Sequence, residues 1–340
     1  LLCGGTDGGD EEVLRHNASR LATKGPRVPY VVAGNVEARD DVVAVLTARR
    51  RTAIPAANVL PRIGVLDPMP ARLAIREVFI AHVIGGKGLS KGPAFGRLVR
   101  GATPDLVLAG VELLADGAGD VPGAGDVLVV DVGGATTDVY SVLTPDPEES
   151  SLHREVVETL WRARTVEGDL GMRWSAPGVV EAAAAERLLE PGSPRAQALH
   201  AAAVLRHDEV GLVPEAGAAG REVRDDDAAL ATLALTVALR RHARPDTGPG
   251  DLRVPGRDLR RVALVVGSGG VLRHAADDVR AQVLGTALAD TAGGWKLPEH
   301  PRVVVDARYL LAAAGLLAPD RPEAGARLLA EALVAVPTRP

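Results

Sequence analysis

Residues 127–142 read VLVVDVGGATTDVYSV. The apolar, β-branched run over 127–132 predicts a strand buried on both faces. Gly133 and Gly134 break it, and an apolar pattern resumes over 139–143, so the piece is predicted to be a β-hairpin. Glycine lets the chain reverse and lets another group come close. The N–H groups of such a turn point outward and can surround an anion. Thr136 and Thr137 add hydroxyl donors. Asp131 and Asp138 cannot meet a phosphate directly, because like charges repel. They can do so through a hydrated Mg²⁺, which takes one or two carboxylates with waters and phosphate oxygens. The chemistry indicated is a nucleotide phosphate held with magnesium. The competing reading is a plain Gly-rich hairpin with Asp and Thr as turn formers.

Outward from this hairpin the chain alternates strand and helix patterns. Towards the N-terminus, LLC leads into a Gly-rich loop over 4–9, then a helical stretch over 11–21. VPYVVAG reads as a strand, followed by helices near 40–48, 71–84 and 105–115. Towards the C-terminus come two helix-rich stretches, 177–207 and 225–244. RRVALVVGSGGVL and RVVVDARYLLAAAGLL each read strand then helix, and 322–336 reads as a last helix. Such alternation predicts an α/β architecture. The expected organisation is a first α/β lobe over 1–126 and a second, nucleotide-binding lobe over 127–318. The second lobe would carry a helical insert near 177–250, and a C-terminal helix would occupy 319–340.

The chain has 340 residues, 46% apolar but only 2% aromatic, so its core must be built from Ala, Val and Leu. One cysteine, Cys3, excludes a disulfide framework and fits a reducing compartment, hence a cytoplasmic protein. A net charge of −5 gives no basic footprint for nucleic acid. No apolar run approaches the ~20 residues of a membrane span. The chain opens on the tail of a strand pattern with no methionine, so residues are expected before Leu1.

Other motifs divide into candidates and non-candidates. Gly267, Ser268, Gly269 and Gly270 follow the apolar strand 262–266 and open a helix, which places N–H groups and a positive dipole end at a ligand. A tight strand-to-helix turn is the alternative. TVEGDLGMRW places Glu167, Gly168, Asp169 and Gly171 ahead of a helical segment, where Asp also suits an N-cap. GGKGLSKG (85–92) departs from the P-loop pattern, because Lys87 is followed by Gly88, and Lys87 and Lys91 read as a basic loop. The histidines show no metal-ligand spacing. Asp225, Asp226 and Asp227 read as complements to a helix dipole.

DVGGATTDV, EGDLGM and VVGSGGVL, in this order, resemble the nucleotide loops of the actin, Hsp70 and sugar-kinase ATPase fold. More specifically, GGTDGG, VVAGNVEARDDV, IREVFIAHVIGGKGLS, DVGGATTDVYSV, TVEGDLGMR and GSGGVL resemble the MutL (GlmL-type) accessory family of adenosylcobalamin-dependent glutamate mutase. That family is unrelated to the DNA mismatch protein of the same name. The resemblance implies a bilobed actin/Hsp70-like fold whose first lobe is N-terminally truncated, since a first phosphate loop of D-x-G-S-T type is absent. A site lacking one of two phosphate clamps is expected to bind nucleotide weakly.

The resemblance further implies ATP and Mg²⁺ as cofactors, and an adenosylcobalamin-dependent mutase as partner. Asp131 would hold Mg²⁺ through water and Asp138 would share its polar shell as a catalytic residue. Gly133, Gly134, Thr136 and Thr137 would donate to phosphates. Gly168, Asp169 and Gly171 would form the following turn, with Gly267–Gly270 along the adenosine and Asp306 near the nucleotide, although an N-cap role explains Asp306 equally. A valine at Gly269 is expected to obstruct the adenosine and leave the fold intact. Glu112, in the helix before the hairpin, is the candidate water-positioning residue. The functions to separate are a nucleotide-driven reactivating chaperone, a small-molecule kinase and a non-hydrolysing scaffold.

Overall fold

The computed structural model describes residues 1–84, 100–144, 161–215, 217–247, 253–254 and 256–335. The chain is mixed α/β and forms two compact units, Leu1–Ala102 and Thr103–Thr144 with the chain from Leu160 onward. The loop carrying Lys87 and Lys91 lies outside the described residues.

The first unit is a small βαβ arrangement. Helix α1 (Glu12–Lys24) precedes strand β1 (Tyr30–Val32), helix α2 (Val36–Ala48) and strand β2 (Ala53–Pro55), then α3 (Met69–Phe79), which runs into a π turn at Ile80–Ile84. β1 and β2 pair in parallel, and Leu2 bridges Val32 on the other side. Tyr30 and Val32 face α1 and α2, meeting Leu14, Ala18, Val42 and Leu46. Val31 and Ala33 face the other way, onto Ala71 and Ala74. The sequence pattern placed α2 from residue 40, but the helix starts at Val36. Buried Asn35 caps it, its side chain accepting from the Glu37 N–H at 2.8 Å.

The second unit is a three-layer sandwich on a six-stranded sheet. Its strands are β3 (Val127–Val132), β4 (Thr137–Val142), β5 (Arg162–Glu167), β6 (Leu264–Ser268), β7 (Arg302–Val305) and β8 (Val334–Ala335). Their spatial order is β8-β7-β6-β3-β4-β5. β3, β4 and β5 form an antiparallel meander, while β6 and β7 continue from β3 in parallel. Strand β3 is buried on both faces because the two-residue period sends alternate side chains to opposite helix layers. Val127 and Val129 pack with helices α4 (Thr103–Asp116), α10 (Leu310–Leu317) and α11 (Pro322–Ala332). Leu128, Val130 and Val132 pack with α5 (Ala176–Ala185), α6 (Pro194–Asp208), α7 (Arg221–Ala243) and α9 (Asp277–Leu288). Helix α8 (Gly270–His274) is a single short turn after β6.

The division of the chain differs from the boundaries expected at 126 and 319. Val107, Val111 and Leu113 of α4, and Ala326 and Leu329 of α11, share one core under the sheet. An amphipathic helix belongs with the surface that buries its apolar stripe, so both helices are part of the second unit. Among the described residues no helix is long and apolar enough to cross a membrane.

Candidate functional site

In the second unit the parallel strands β3, β6 and β7 end together, and the segments singled out from the sequence gather there. Asp131 lies opposite Asp138 across the hairpin and opposite Ser268 in the neighbouring parallel strand. Residues facing each other across a ladder share a face of the sheet. Asp306 follows the end of β7, and its N–H donates to the Gly267 carbonyl at 2.9 Å. The outer side of parallel strand ends is where open α/β sheets bind ligands.

The turn 133–136 is built tightly. The Gly133 N–H donates to the Thr136 carbonyl at 2.9 Å. The carbonyls of Gly133 and Gly134 accept from Met172, Arg173 and Trp174 N–H groups. A Cβ on Gly171 would stand 2.3 Å from the Ala135 backbone, so only glycine lets the 168–174 loop close onto the hairpin. Among the described residues the N–H groups of Gly134, Ala135 and Thr136 donate to no protein acceptor. These amides, and not the hydroxyls, are what the turn offers an anion. The Thr137 hydroxyl donates to the Leu170 carbonyl at 2.5 Å, and the Thr136 hydroxyl to Asp138 Oδ2 at 2.9 Å. Both hydroxyls expected on phosphate are thus engaged within the protein, because a buried hydroxyl left without a partner is costly.

The two hairpin aspartates differ in electrostatics. Arg164, from β5, donates to Asp138 Oδ1 at 2.8 and 3.2 Å and lies over the Tyr140 ring. Asp138 therefore has a cation beside it. Asp131 has none among the described residues, and its carboxyl is pushed up to about 6. Burial is the chief cause and Asp138 adds to it, while a hydrogen bond from Ser268 opposes the shift and Asp306 raises it further. The resemblance-implied magnesium site can be tested on these groups. No group of three or more His, Cys, Asp or Glu side chains converges for a metal among the described residues. Mg²⁺ bound through phosphate and water needs only one or two carboxylates. Asp131, poorly solvated and without a cation, fits that role, with Asp138 already compensated.

Several other expectations take a different form. Asp306 is fully buried, and its carboxylate accepts from the N–H groups of Arg308 (3.3 Å), Leu310 (2.8 Å) and Leu311 (2.9 Å). That is the capping alternative, and it anchors α10 at the strand ends. Asp169 forms a two-pronged ion pair with Arg241 at 2.7 and 2.8 Å, which holds its carboxyl below the usual range. Glu112 does not reach the aspartate pair. It pairs with Arg162 at 4.0 Å, and Arg162 is in register with Val142, at the end of the hairpin remote from Asp138. Asp227 was expected to sit at a helix start as a dipole complement. It is instead buried against Arg206 (2.7 Å) and Arg173 (3.3 Å).

Gly269 also departs from expectation. Its φ is +98°, and a Cβ there would stand 2.2 Å from the Val132 carbonyl oxygen. A valine therefore attacks the fold itself and not the approach of a ligand. Gly269→Ala is expected to cost at least ~2 kcal/mol in urea unfolding. Gly270→Ala, where nothing lies within 4 Å of the added carbon, is expected to unfold as wild type does. Equal midpoints for the two variants would contradict this packing.

Sequence reasoning missed Arg164, Arg173 and Arg241, which compensate the aspartates or brace the turn. The alternating RARTVE of β5 carries a signal for a strand, but not for the register that sets Arg164 beside Asp138.

Comparison with known proteins follows from the same segments. Solved structures that resemble the chain include a nucleotide-free acetone carboxylase, studied for ATP-dependent acetone carboxylation. It is 15% identical, with a TM-score of 0.33 over 91% of this chain and 49% of that one. A ROK hexokinase from Thermus thermophilus is 13% identical, with a TM-score of 0.24 over 90% of this chain and 84% of that one. Among curated proteins, Protein MutL of Clostridium tetanomorphum is 36% identical over 99% of this chain and 73% of its own length. The family model described as MutL protein matches residues 1–333. The chain therefore belongs to the MutL protein family.

Proposed function

We propose that this accessory-family chain binds ATP with Mg²⁺ at the end of the β3–β4 hairpin, within an actin/Hsp70-like ATPase fold. We further propose that it uses nucleotide binding to drive a reactivating chaperone cycle on an adenosylcobalamin-dependent mutase. The observation that carries the nucleotide reading is the pairing of opposite needs at one turn. Asp131 is a buried carboxylate without a cation, and the amides of Gly134, Ala135 and Thr136 lack acceptors among the described residues. A phosphate oxygen would satisfy the amides. Asp131 would hold Mg²⁺ through water, and the positive charge that the ion supplies would favour the ionised carboxylate. The protein's part is to hold the turn rigid, through Gly171 against Ala135, and to keep Asp138 compensated by Arg164 so that one carboxylate faces the metal. The mutase partner is supported by family membership.

Phosphate release, measured with and without the mutase and with candidate small acceptors, tests the cycle. Stimulation by the mutase is the expected result. Dependence on a small acceptor would identify a kinase instead, and calorimetry showing no binding of ATP with Mg²⁺ would defeat the nucleotide reading altogether.

A further inference from the structure

A second polar site lies in the first unit. Residues 20–29 and 49–52 hold Arg20, Lys24, Arg27, Arg49, Arg50 and Arg51 and no Asp or Glu, in a chain of net charge −5. The first stretch ends α1 and the second follows α2. Arg51 ties them together by donating to the Gly25 carbonyl at 2.8 Å. Between them is a cleft of about 140 Å³, lined by Arg27, Val28, Pro29, Arg50, Arg51, Thr52 and His82. The side chains of Arg27 and Arg50 have no hydrogen-bond or ion-pair partner among the described residues. The His82 ring is turned by a contact from Nδ1 to the Val78 carbonyl at 3.2 Å, which leaves Nε2 as its remaining polar atom.

Arg50 is also in an unusual backbone state. It has φ +56°, at the position just past α2 where the Leu46 and Thr47 carbonyls are closed off by the N–H groups of Arg51 and Arg50. Glycine is the ordinary residue in such a left-handed cap, since a Cβ is strained there. A residue with a strained backbone whose side chain has no hydrogen-bond or ion-pair partner among the described residues, beside a cleft of like charges, points to a role outside fold stability.

We propose that this cleft binds the phosphoryl group of a small anionic ligand. Guanidinium groups match phosphate oxygens with paired N–H donors. A dianion would balance charges that otherwise repel one another, and the Thr52 hydroxyl supplies a neutral donor. The cleft is roomy enough for a phosphoryl group. The site belongs to the first unit and owes nothing to the hairpin of the second.

The test titrates the full chain at constant ionic strength with inorganic phosphate, pyrophosphate, ADP and citrate, following the Arg Nε–H resonances by NMR. Saturable shifts at Arg27 and Arg50 with phosphate are expected. Stronger binding of ADP than of phosphate at these residues would identify the phosphate as the tail of a larger molecule. Tighter phosphate or pyrophosphate would identify the free anion, and both support the site. Arg27→Ala and Arg50→Gly are each expected to weaken binding roughly ten- to hundredfold, while Arg50→Gly raises the thermal midpoint of unfolding. That opposite pair of effects separates a ligand role from a structural one. Linear, non-saturating shifts, equal affinity for citrate, or unchanged binding in the more stable Arg50→Gly would each overturn the proposal.

Discussion

Asp131→Asn is expected to make the metal-free protein more stable and the nucleotide cycle far slower. The free carboxyl titrates near 6 in the folded chain, against about 3.8 unfolded. A folded-state value above the unfolded one means that the proton is bound more tightly in the native state. The stability this provides is present below pH 3.8 and is lost as pH rises through 6. At pH 8 the ionised, buried carboxylate therefore opposes folding, and at about 1.36 kcal/mol per unit the opposition amounts to roughly 2–3 kcal/mol. Asparagine keeps the size and the hydrogen-bonding capacity but removes the charge. Urea unfolding at pH 8 without Mg²⁺ is expected to show that gain, and at pH 3 it is expected to vanish. The same change should lower Mg²⁺-dependent hydrolysis by ~10²–10³, the usual loss for one electrostatic contact made in the transition state. Nucleotide binding without metal should persist. If hydrolysis stays within threefold of wild type at saturating Mg²⁺, Asp131 has no part in the chemistry. If stability at pH 8 is unchanged, the carboxylate is better solvated than its burial indicates.

Asp227→Ala is the second large effect, and it acts on stability first. Arg206 is 1% exposed and donates to Asp227 Oδ1 at 2.7 Å, with its other nitrogens on the Ala202 and Val223 carbonyls. Removing the carboxylate leaves a buried guanidinium with Asp226, at 3.6 Å and a third exposed, as its remaining ion-pair partner among the described residues. Breaking a buried pair from one side costs ~3–5 kcal/mol, a large share of a typical 5–15 kcal/mol total. Asp227→Ala is therefore expected to be marginally folded at 37 °C. Replacing both partners, Arg206→Met with Asp227→Leu, is expected to recover part of the loss, since apolar residues of similar size remove the buried Arg206 charge while the more exposed Arg173 still loses its carboxylate. Recovery would show that charge compensation, and not the shape of the aspartate, is what the helices need. A loss below ~1 kcal/mol in the single variant would show that Arg206 is reached by water.

The same aspartate connects the helical layer to the hairpin turn at 133–136. Arg173 donates to Asp227 at 3.3 and 3.4 Å through its side chain, and to the Gly134 carbonyl at 2.7 Å through its N–H. Asp227→Asn retains one acceptor oxygen while weakening both ion pairs, so it is the milder variant in which to look for a change in nucleotide affinity without unfolding.

An acid-sensitive group lies on the face of the sheet that α7 covers, opposite Asp131 and Asp138. His242 is completely buried between Ser141 and Thr165, each 2.9 Å from one ring nitrogen, and its pKa is pushed down to about 3 by burial and by Arg257. The neutral ring is the form that the core accepts. Its contribution to stability is intact above the unfolded value of 6.5 and drains away as pH falls from there towards 3.

Residue type and order by themselves determined the hairpin at 127–142, the strand buried on both faces, the glycines at the turn, the strand-then-helix alternation and the family. These follow from local rules. β-branched runs extend, glycines permit reversal, and a periodic apolar stripe states which face of an element is buried. The sequence also brought Asp131, the 168–171 loop, Gly267–Gly270 and Asp306 into one list, and the strand ends bring them to one edge. Only the tertiary structure decided what each polar group does there. It spent the Thr136 and Thr137 hydroxyls on Asp138 and Leu170, gave Asp138 to Arg164, Asp169 to Arg241 and Asp306 to the start of α10, and turned Glu112 away with Arg162. It also moved α4 and α11 into the second unit and buried Asp227 between two arginines. The reason is physical. A charge or hydroxyl has many possible partners along a chain, and register and helix packing between residues tens of positions apart select one, whereas backbone preference is settled within a few residues.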